Sequence, residues 1–434
     1  MATRFIKSKF EKFYFINDTG TRKSFKLIFG DEVKTRTIDA PSGAEWKAVR
    51  CRGRAGEIKQ PELTTKRCLE MYFLDVGQGD AAFIVTPNDT KILVDGGLRD
   101  RALGFLIWKY QLDKPNNTVT IDHLFLSHAD HDHVSGLILL LEHSDITVKN
   151  IWHNGIAVFN DPSFNEKLGN VVNRRLTTRH STLADLGSET QSNGFANWIA
   201  AVTNSGANYN ALDSSVGTLD IGDPKINLEI LTPILESDGS LDWFSGKSKT
   251  INGHSLTFRI TYKKVRTFFS GDLNTKGSKH ILKQPNIASQ LNAHIFKSPH
   301  HGSHDYHQAL LNAISPMVTV ISSGDSPDHG HPRASFLGGV SLACRGKSPL
   351  IFSTEIAATF SDAGDNAALA VAEPTTLGDL DFSSSTANTT ARRRFKKVLS
   401  GIINVRTDGE HIYTARRVIA SYQWELYGPI TPVD

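Results

Sequence analysis

The stretch Leu124-Phe-Leu-Ser-His128-Ala-Asp130-His-Asp132-His133-Val-Ser-Gly136 decides how the rest of the chain is read. Its apolar opening predicts a strand, and the run Leu137-Ile-Leu-Leu-Leu141 predicts the start of a helix behind it. Four potential ligands, His128, Asp130, Asp132 and His133, therefore gather at the C-terminal end of a strand. Imidazoles and carboxylates without thiolates are what a hydrolytic divalent-metal site uses, because such a site leaves coordination positions open to water. A solvated polar loop would suit the same residues, and three stretches downstream weigh against it. Thr267-Phe-Phe-Ser-Gly271-Asp272 is an apolar strand ending in a carboxylate able to bridge two ions. Ile295-Phe-Lys-Ser-Pro-His300-His301-Gly302-Ser303 again runs from strand into loop with imidazoles at its tip, and Gly330-His331-Pro332 follows.

Working outward, Met71-Tyr-Phe-Leu-Asp-Val76 leads into Gly77-Gln-Gly-Asp80, then Ala81–Val85, then Lys91-Ile-Leu-Val94 ending in Asp95-Gly-Gly97. Strands alternating with helical stretches predict a layered α/β domain. The first 66 residues have another texture, with short strands at Phe13–Ile16, Phe25–Phe29, Glu32–Lys34 and Trp46–Arg50 between polar turns. Residues 373–397 are polar and read as a mobile loop. Residues 398–434 hold two strands about a Thr407-Asp-Gly409 turn, expected to complete the α/β domain of residues 67–372.

The 434 residues are 39% hydrophobic and 21% charged, which excludes a disordered or collagenous chain. Cys51, Cys68 and Cys344 are scattered and odd in number, which argues against a disulfide framework and against a cysteine-built zinc site. No apolar run approaches the ~18 residues of a spanning helix, so a soluble cytoplasmic protein without a membrane association is expected. The formal charge of +3 permits a nucleic-acid partner without pointing to one.

Taken in order, Leu74-Asp-Val-Gly-Gln-Gly-Asp80, Leu93-Val-Asp95-Gly-Gly97, His128-x-Asp130-x-Asp132-His133, Ser270-Gly-Asp272, Lys297-Ser-Pro-His300-His-Gly-Ser303 and Gly330-His331-Pro332 resemble the metallo-β-lactamase superfamily. More narrowly they resemble its ComEC-like branch, named after a DNA-uptake protein, here without the membrane channel. The resemblance implies an α/β fold, the αββα sandwich. Gly30-Asp31-Glu32-Val33, Trp46-x-x-Val49 and Gly53-x-x-Gly56 resemble bacterial Src-homology-3-like domains, which implies a small N-terminal β-barrel at 1–66.

Carried over by residue, the resemblance implies two divalent ions. His128 and Asp130 would hold the first, Asp132, His133 and His300 the second, with Asp272 between them. His254 is the choice for a further ligand to the first ion, with Asn252 as its rival. Asp80 and Asp95 would support the ligands without binding an ion. Lys297, His301 and Ser303 would face substrate, and His331 would protonate a leaving oxygen, with Asp132 and Asp272 also counted as catalytic. His123, His131, His143, His153, His180, His280 and His411 lie outside the motifs and read as packed or surface side chains.

The expected activity is phosphodiester hydrolysis of DNA or RNA, with Mn²⁺ favoured over Zn²⁺ because Asp130 puts a hard carboxylate where the superfamily usually has histidine. The alternatives are a phosphodiesterase on a small cyclic nucleotide and an inactive binding module. A protein partner is expected through the N-terminal barrel.

Overall fold

The computed structural model describes residues 1–59, 61–163, 165–324, 330–346, 349–355, 401–418 and 423–433. The loop expected at 373–397 lies outside them.

The N-terminal segment forms seven antiparallel strands: β1 (Ala2–Ile6), β2 (Phe10–Ile16), β3 (Arg22–Ile28), β4 (Glu32–Asp39), β5 (Trp46–Cys51), β6 (Arg54–Lys59) and β7 (Leu63–Thr64). Their spatial order is β3-β2-β6-β5-β4-β1-β7. Alternation sends one side-chain set inward, and Ile6, Phe13, Leu27, Val33, Val49 and Ile58 make a small core of their own. This is a small β domain.

The remainder is a four-layered sandwich. Its first sheet contains β8 (Leu69–Phe73), β9 (Ala82–Val85), β10 (Lys91–Val94), β11 (Val119–Phe125) and β12 (Ile146–His153). In space it runs 208–211, β12, β11, β10, β9, β8, then the C-terminal strands 403–407, 412–418 and 423–430. Every residue of β8 and β9 is buried, as a strand with a layer on both faces requires. The second sheet is built on Ile226–Thr232, Thr257–Tyr262, Val265–Phe269, Ile295–Lys297, Val318–Ile321 and Leu350–Ser353. Met71, Phe73 and Ile84 of the first sheet meet Phe258, Phe269 and Val320 of the second in the central core. Helices α1 (Arg101–Tyr110) and α2 (His131–Leu141) cover the outer face of the first sheet through Phe105, Leu137 and Leu140. On the second sheet's outer face Leu311 and Phe336 pack with Phe268 and Phe296.

The helix expected to begin near Leu137 in fact begins at His131. Its apolar face marks only the later turns, and the first turn is polar because it carries the candidate ligands Asp132 and His133. Among the described residues no helix is long and apolar enough to cross a membrane.

Candidate metal centre

Strand ends from both sheets converge here. Parallel pairing of β10 with β11, Val94 opposite Phe125, brings the loops after them together. The chain leaves β11 at Phe125, passes Ser127 and His128, and enters α2 with Asp130 at the N-cap. Asp132 and His133 thus sit in the helix's first turn, where unpaired N–H groups favour an anion. Two close approaches fix that turn. A Cβ on Gly136 would lie 2.1 Å from the Gly96 carbonyl oxygen, and one on Gly79 would lie 2.4 Å from the Asp132 carbonyl oxygen. From the second sheet, Val265–Phe269 delivers Asp272 and Ile295–Lys297 delivers His300 and His301. Both histidines adopt left-handed backbone, φ 47° and 54°, a conformation that costs a non-glycine residue energy and is commonly found at functional sites.

Asp272 is the hub. Its Oδ1 lies 3.3 Å from His133 Nε2, and its Oδ2 lies 3.4 Å from His301 Nε2, 3.8 Å from His300 Nε2 and 4.0 Å from His128 Nε2. Asp130 Oδ2 is 3.6 Å from His128 Nε2, and Asp132 Oδ2 is 3.2 Å from His301 Nε2. Four groupings in this cluster are close enough to hold an ion: His128 with His133 and Asp272, Asp132 with His133 and His301, Asp80 with Asp95 and His133, and Asp80 with Asp272 and His301. The supporting groups lie behind them. Asp95 accepts from His133 Nδ1 at 2.9 Å and from the Ser127 amide at 2.7 Å, which turns His133 Nε2 toward Asp272. The His301 Nδ1 donates to the Ser322 carbonyl at 3.1 Å and orients that ring in the same way.

The electrostatics match a cation site. Burial works to raise the carboxyls of Asp132 and Asp272, but the imidazoles of His133 and His301 outweigh it and hold both below the ordinary range. Burial works against the His301 imidazolium, yet Asp272 and Asp132 push its pKa up to about 10. His133 is raised in the same way, against burial, by Asp272, Asp95 and Asp132. Protons thus stand where positive charge is needed. The buried Nε2 atoms of His128, His133 and His301 and the Oδ1 of Asp272 have no hydrogen-bond partner. Buried polar atoms left without partners are costly, so the donor set fits divalent cations in place of those protons.

Several expected roles change. His301, expected on substrate, is 1% exposed and stands among the candidate ligands. Lys297, also expected on substrate, is turned inward and ion-paired with Asp80 at 2.7 Å, so its charge is already neutralised. Ser303 is buried, and its Oγ accepts from the Asp305 amide in a local turn. His254 is not brought into the cluster: its Nε2 donates to the Asp242 carbonyl at 2.8 Å and its ring stacks on Phe244. Asn252, its rival, lies against Asp130, and with its amide oriented to donate its nitrogen is 3.1 Å from Asp130 Oδ2. His331 stands beside the cluster, its ring 5.8 Å from that of His300. Ser127 escaped the sequence reading. Its Oγ lies 3.0 Å from His128 Nδ1 and 3.2 Å from His133 Nδ1, and its place next to the first ligand was the one available signal.

The sequence profile of the metallo-beta-lactamase superfamily matches residues 74–323. Among solved structures, the chain is similar to Igni18, a metallo hydrolase from the archaeon Ignicoccus hospitalis, at 11% identity. That match covers 64% of this chain and 96% of that one, with a TM-score of 0.32. It is also similar to CmlA, a diiron beta-hydroxylase from Streptomyces venezuelae, at 14% identity over 66% of this chain and 49% of that one, with a TM-score of 0.31. No curated protein sequence matches the chain.

Proposed function

This chain belongs to the metallo-beta-lactamase superfamily, and from that premise we propose that it is a divalent-metal-dependent phosphodiesterase that cleaves nucleic acid. The observation that carries the reading is the carboxylate content of the site. Asp130, Asp132 and Asp272 stand among the imidazoles, a hard donor set suited to Mn²⁺ or Mg²⁺ and to phosphate oxygens. When bound, divalent cations held by His128, Asp130, Asp132, His133, Asp272, His300 and His301 supply Lewis acidity toward a phosphoryl oxygen and lower the pKa of a water.

The protein's own groups define the approach. The side chains of Asp130, Asp132 and His300 are 32%, 26% and 27% exposed, whereas those of His128, His133, Asp272 and His301 are at most 4% exposed. Substrate therefore meets the site over Asp130, Asp132 and His300. In this reading His331, whose ring is 5.8 Å from that of His300, has the role of handing a proton to the leaving oxygen. Lys297 and Asp80 form a buried support under His301, whose Nδ1 is 3.8 Å from Asp80. The uncompensated atoms of the cluster argue against a decayed binding module. Free thiols at Cys51, Cys68 and Cys344 support a reducing, cytoplasmic setting.

The test is metal-stripped protein reconstituted with Mn²⁺ or Zn²⁺ and offered single-stranded DNA, duplex DNA, RNA, cyclic nucleotides and bis(p-nitrophenyl) phosphate. Cation-dependent cleavage of a phosphodiester, abolished by EDTA, is expected. Metal-loaded protein that cuts none of them would overturn the reading.

A further inference from the structure

The charges of this chain are segregated. Residues 1–66 carry 15 Lys and Arg against 8 Asp and Glu, and the remaining residues carry 33 against 37. Where the basic β domain meets the sandwich there is a cleft of about 1080 Å³, lined by eight Lys and Arg against five Asp and Glu. Its floor is internally neutralised. Arg406 lies 2.9 Å from Asp31 and 4.0 Å from Glu70, and Arg67 lies 3.1 Å from Glu70. The rim differs. Lys34, Arg50 and Lys114 are exposed and, among the described residues, have no carboxylate within ion-pair distance. Arg50 Nε reaches only the Gly53 carbonyl, and Lys114 Nζ only the Gln111 amide oxygen. Trp108 and Trp424, each partly exposed, line the same cleft.

Unpaired cations beside accessible indoles are the two components of a single-strand binding groove, one for the phosphates and one for stacking bases. The cleft is not the metal centre. It includes Lys91 at the start of β10, whereas Asp95 follows the other end of that strand, roughly 13 Å away along extended chain. A ligand touching both has to span at least that distance, more than a single nucleotide covers, so it is a polymer. We propose that this cleft binds the phosphate backbone of single-stranded nucleic acid, with bases against Trp108 and Trp424, and anchors a polymeric substrate away from the point of cleavage. The preference for nucleic acid over an acidic protein rests on the phosphodiesterase reading and on the two indoles.

The test is fluorescence anisotropy of labelled 20-nucleotide oligo(dT) and oligo(U) with the full chain in EDTA, so that binding is measured without turnover. Salt-sensitive binding is expected for at least one of the two. Lys34→Glu/Arg50→Glu/Lys114→Glu should weaken it about tenfold or more and flatten the salt dependence by about two units of log–log slope. The milder Lys34→Gln/Arg50→Gln/Lys114→Gln, checked by thermal melting, serves if the charge-reversed chain does not fold. Neither set should alter turnover of bis(p-nitrophenyl) phosphate, which is too small to reach the cleft. Oligonucleotide binding that persists unchanged in both sets, absence of binding in the parent, or tighter binding of polyglutamate would overturn the proposal. Tight, charge-dependent oligonucleotide binding by a protein that hydrolyses no phosphodiester would uphold the cleft and reject the catalytic reading.

Discussion

Asp272→Asn tests the centre most sharply, because the substitution preserves shape and removes one negative charge. Four imidazole nitrogens lie within 4.0 Å of this carboxylate, which is 3% exposed. Removing one partner from a buried charged constellation costs roughly 3–5 kcal/mol, here felt by the bound cations. At about 1.4 kcal/mol per tenfold, cation affinity and turnover should fall on the order of 10²–10³-fold. Stability supplies an independent readout. A cation at about 1,000 times its Kd stabilises the parent by ~4 kcal/mol, and a thousandfold weaker site keeps only ~0.4 kcal/mol of that. Metal-stripped parent and variant should melt within a few degrees of each other, because His133 and His301 can shed their protons once the carboxylate is neutral. Added Mn²⁺ should then raise the parent's Tm well above the variant's. The assays are thermal melting with and without Mn²⁺, metal content, and hydrolysis of bis(p-nitrophenyl) phosphate. A variant that keeps its cation, its thermal shift and turnover within about threefold of the parent would refute the assignment of Asp272 as hub.

Asp130→His should move the optimum from Mn²⁺ toward Zn²⁺ by exchanging a hard oxygen donor for imidazole; reconstitution of both proteins with each ion checks this, and unchanged metal preference contradicts it. Arg406→Ala should cost about 1.5–3 kcal/mol in urea unfolding at pH 7, since it removes the buried charge-assisted bond to Asp31 and leaves Asp31 to Arg52, and Glu70 to Arg67 and Lys109; a loss under about 0.5 kcal/mol would show that these remaining cations suffice. The same junction should be sensitive to acid. Burial works to raise both carboxyls, but Arg406 and Arg52 around Asp31, and Lys109 and Arg406 around Glu70, hold them below their ordinary values. Groups with depressed folded pKa values contribute their full stability above about pH 4 and lose it as pH falls further, so protease sensitivity near residues 59–67 should rise between pH 5 and pH 3. Equal resistance at pH 3 and pH 7 would contradict this.

The order of strands and motifs was legible because apolar runs ending in Asp or His are unusual and five of them occur in series. What was not legible depends on direction. Adjacent imidazoles at positions 300 and 301 are equivalent on paper; the left-handed backbone at both turns His301 inward and leaves His300 at the mouth. Lys297 offered a signal that was misread. A lysine inside an apolar strand buried by both layers needs a buried anion, and Asp80, 217 residues earlier, is that anion. His254 and Asn252 lie two residues apart across a helix end, and the choice between them depended on whether the chain turns toward Asp242 or Asp130. The extra N-terminal strand Ala2–Ile6 carries only two apolar residues in a row, too little for a periodicity argument.

The pairing of β8 with Ile403–Thr407, and of Asp31 with Arg406, also sets a timetable for synthesis. Asp31 leaves the ribosome 375 residues before its arginine does, an interval of roughly 20–75 s at 5–20 residues per second. Through that interval β8 has a neighbour on one side only, and its other edge, which ends up inside a nine-stranded sheet, is an open row of amides and carbonyls. The nascent chain therefore has a defined period of vulnerability to edge pairing, which closes only when the last strands arrive.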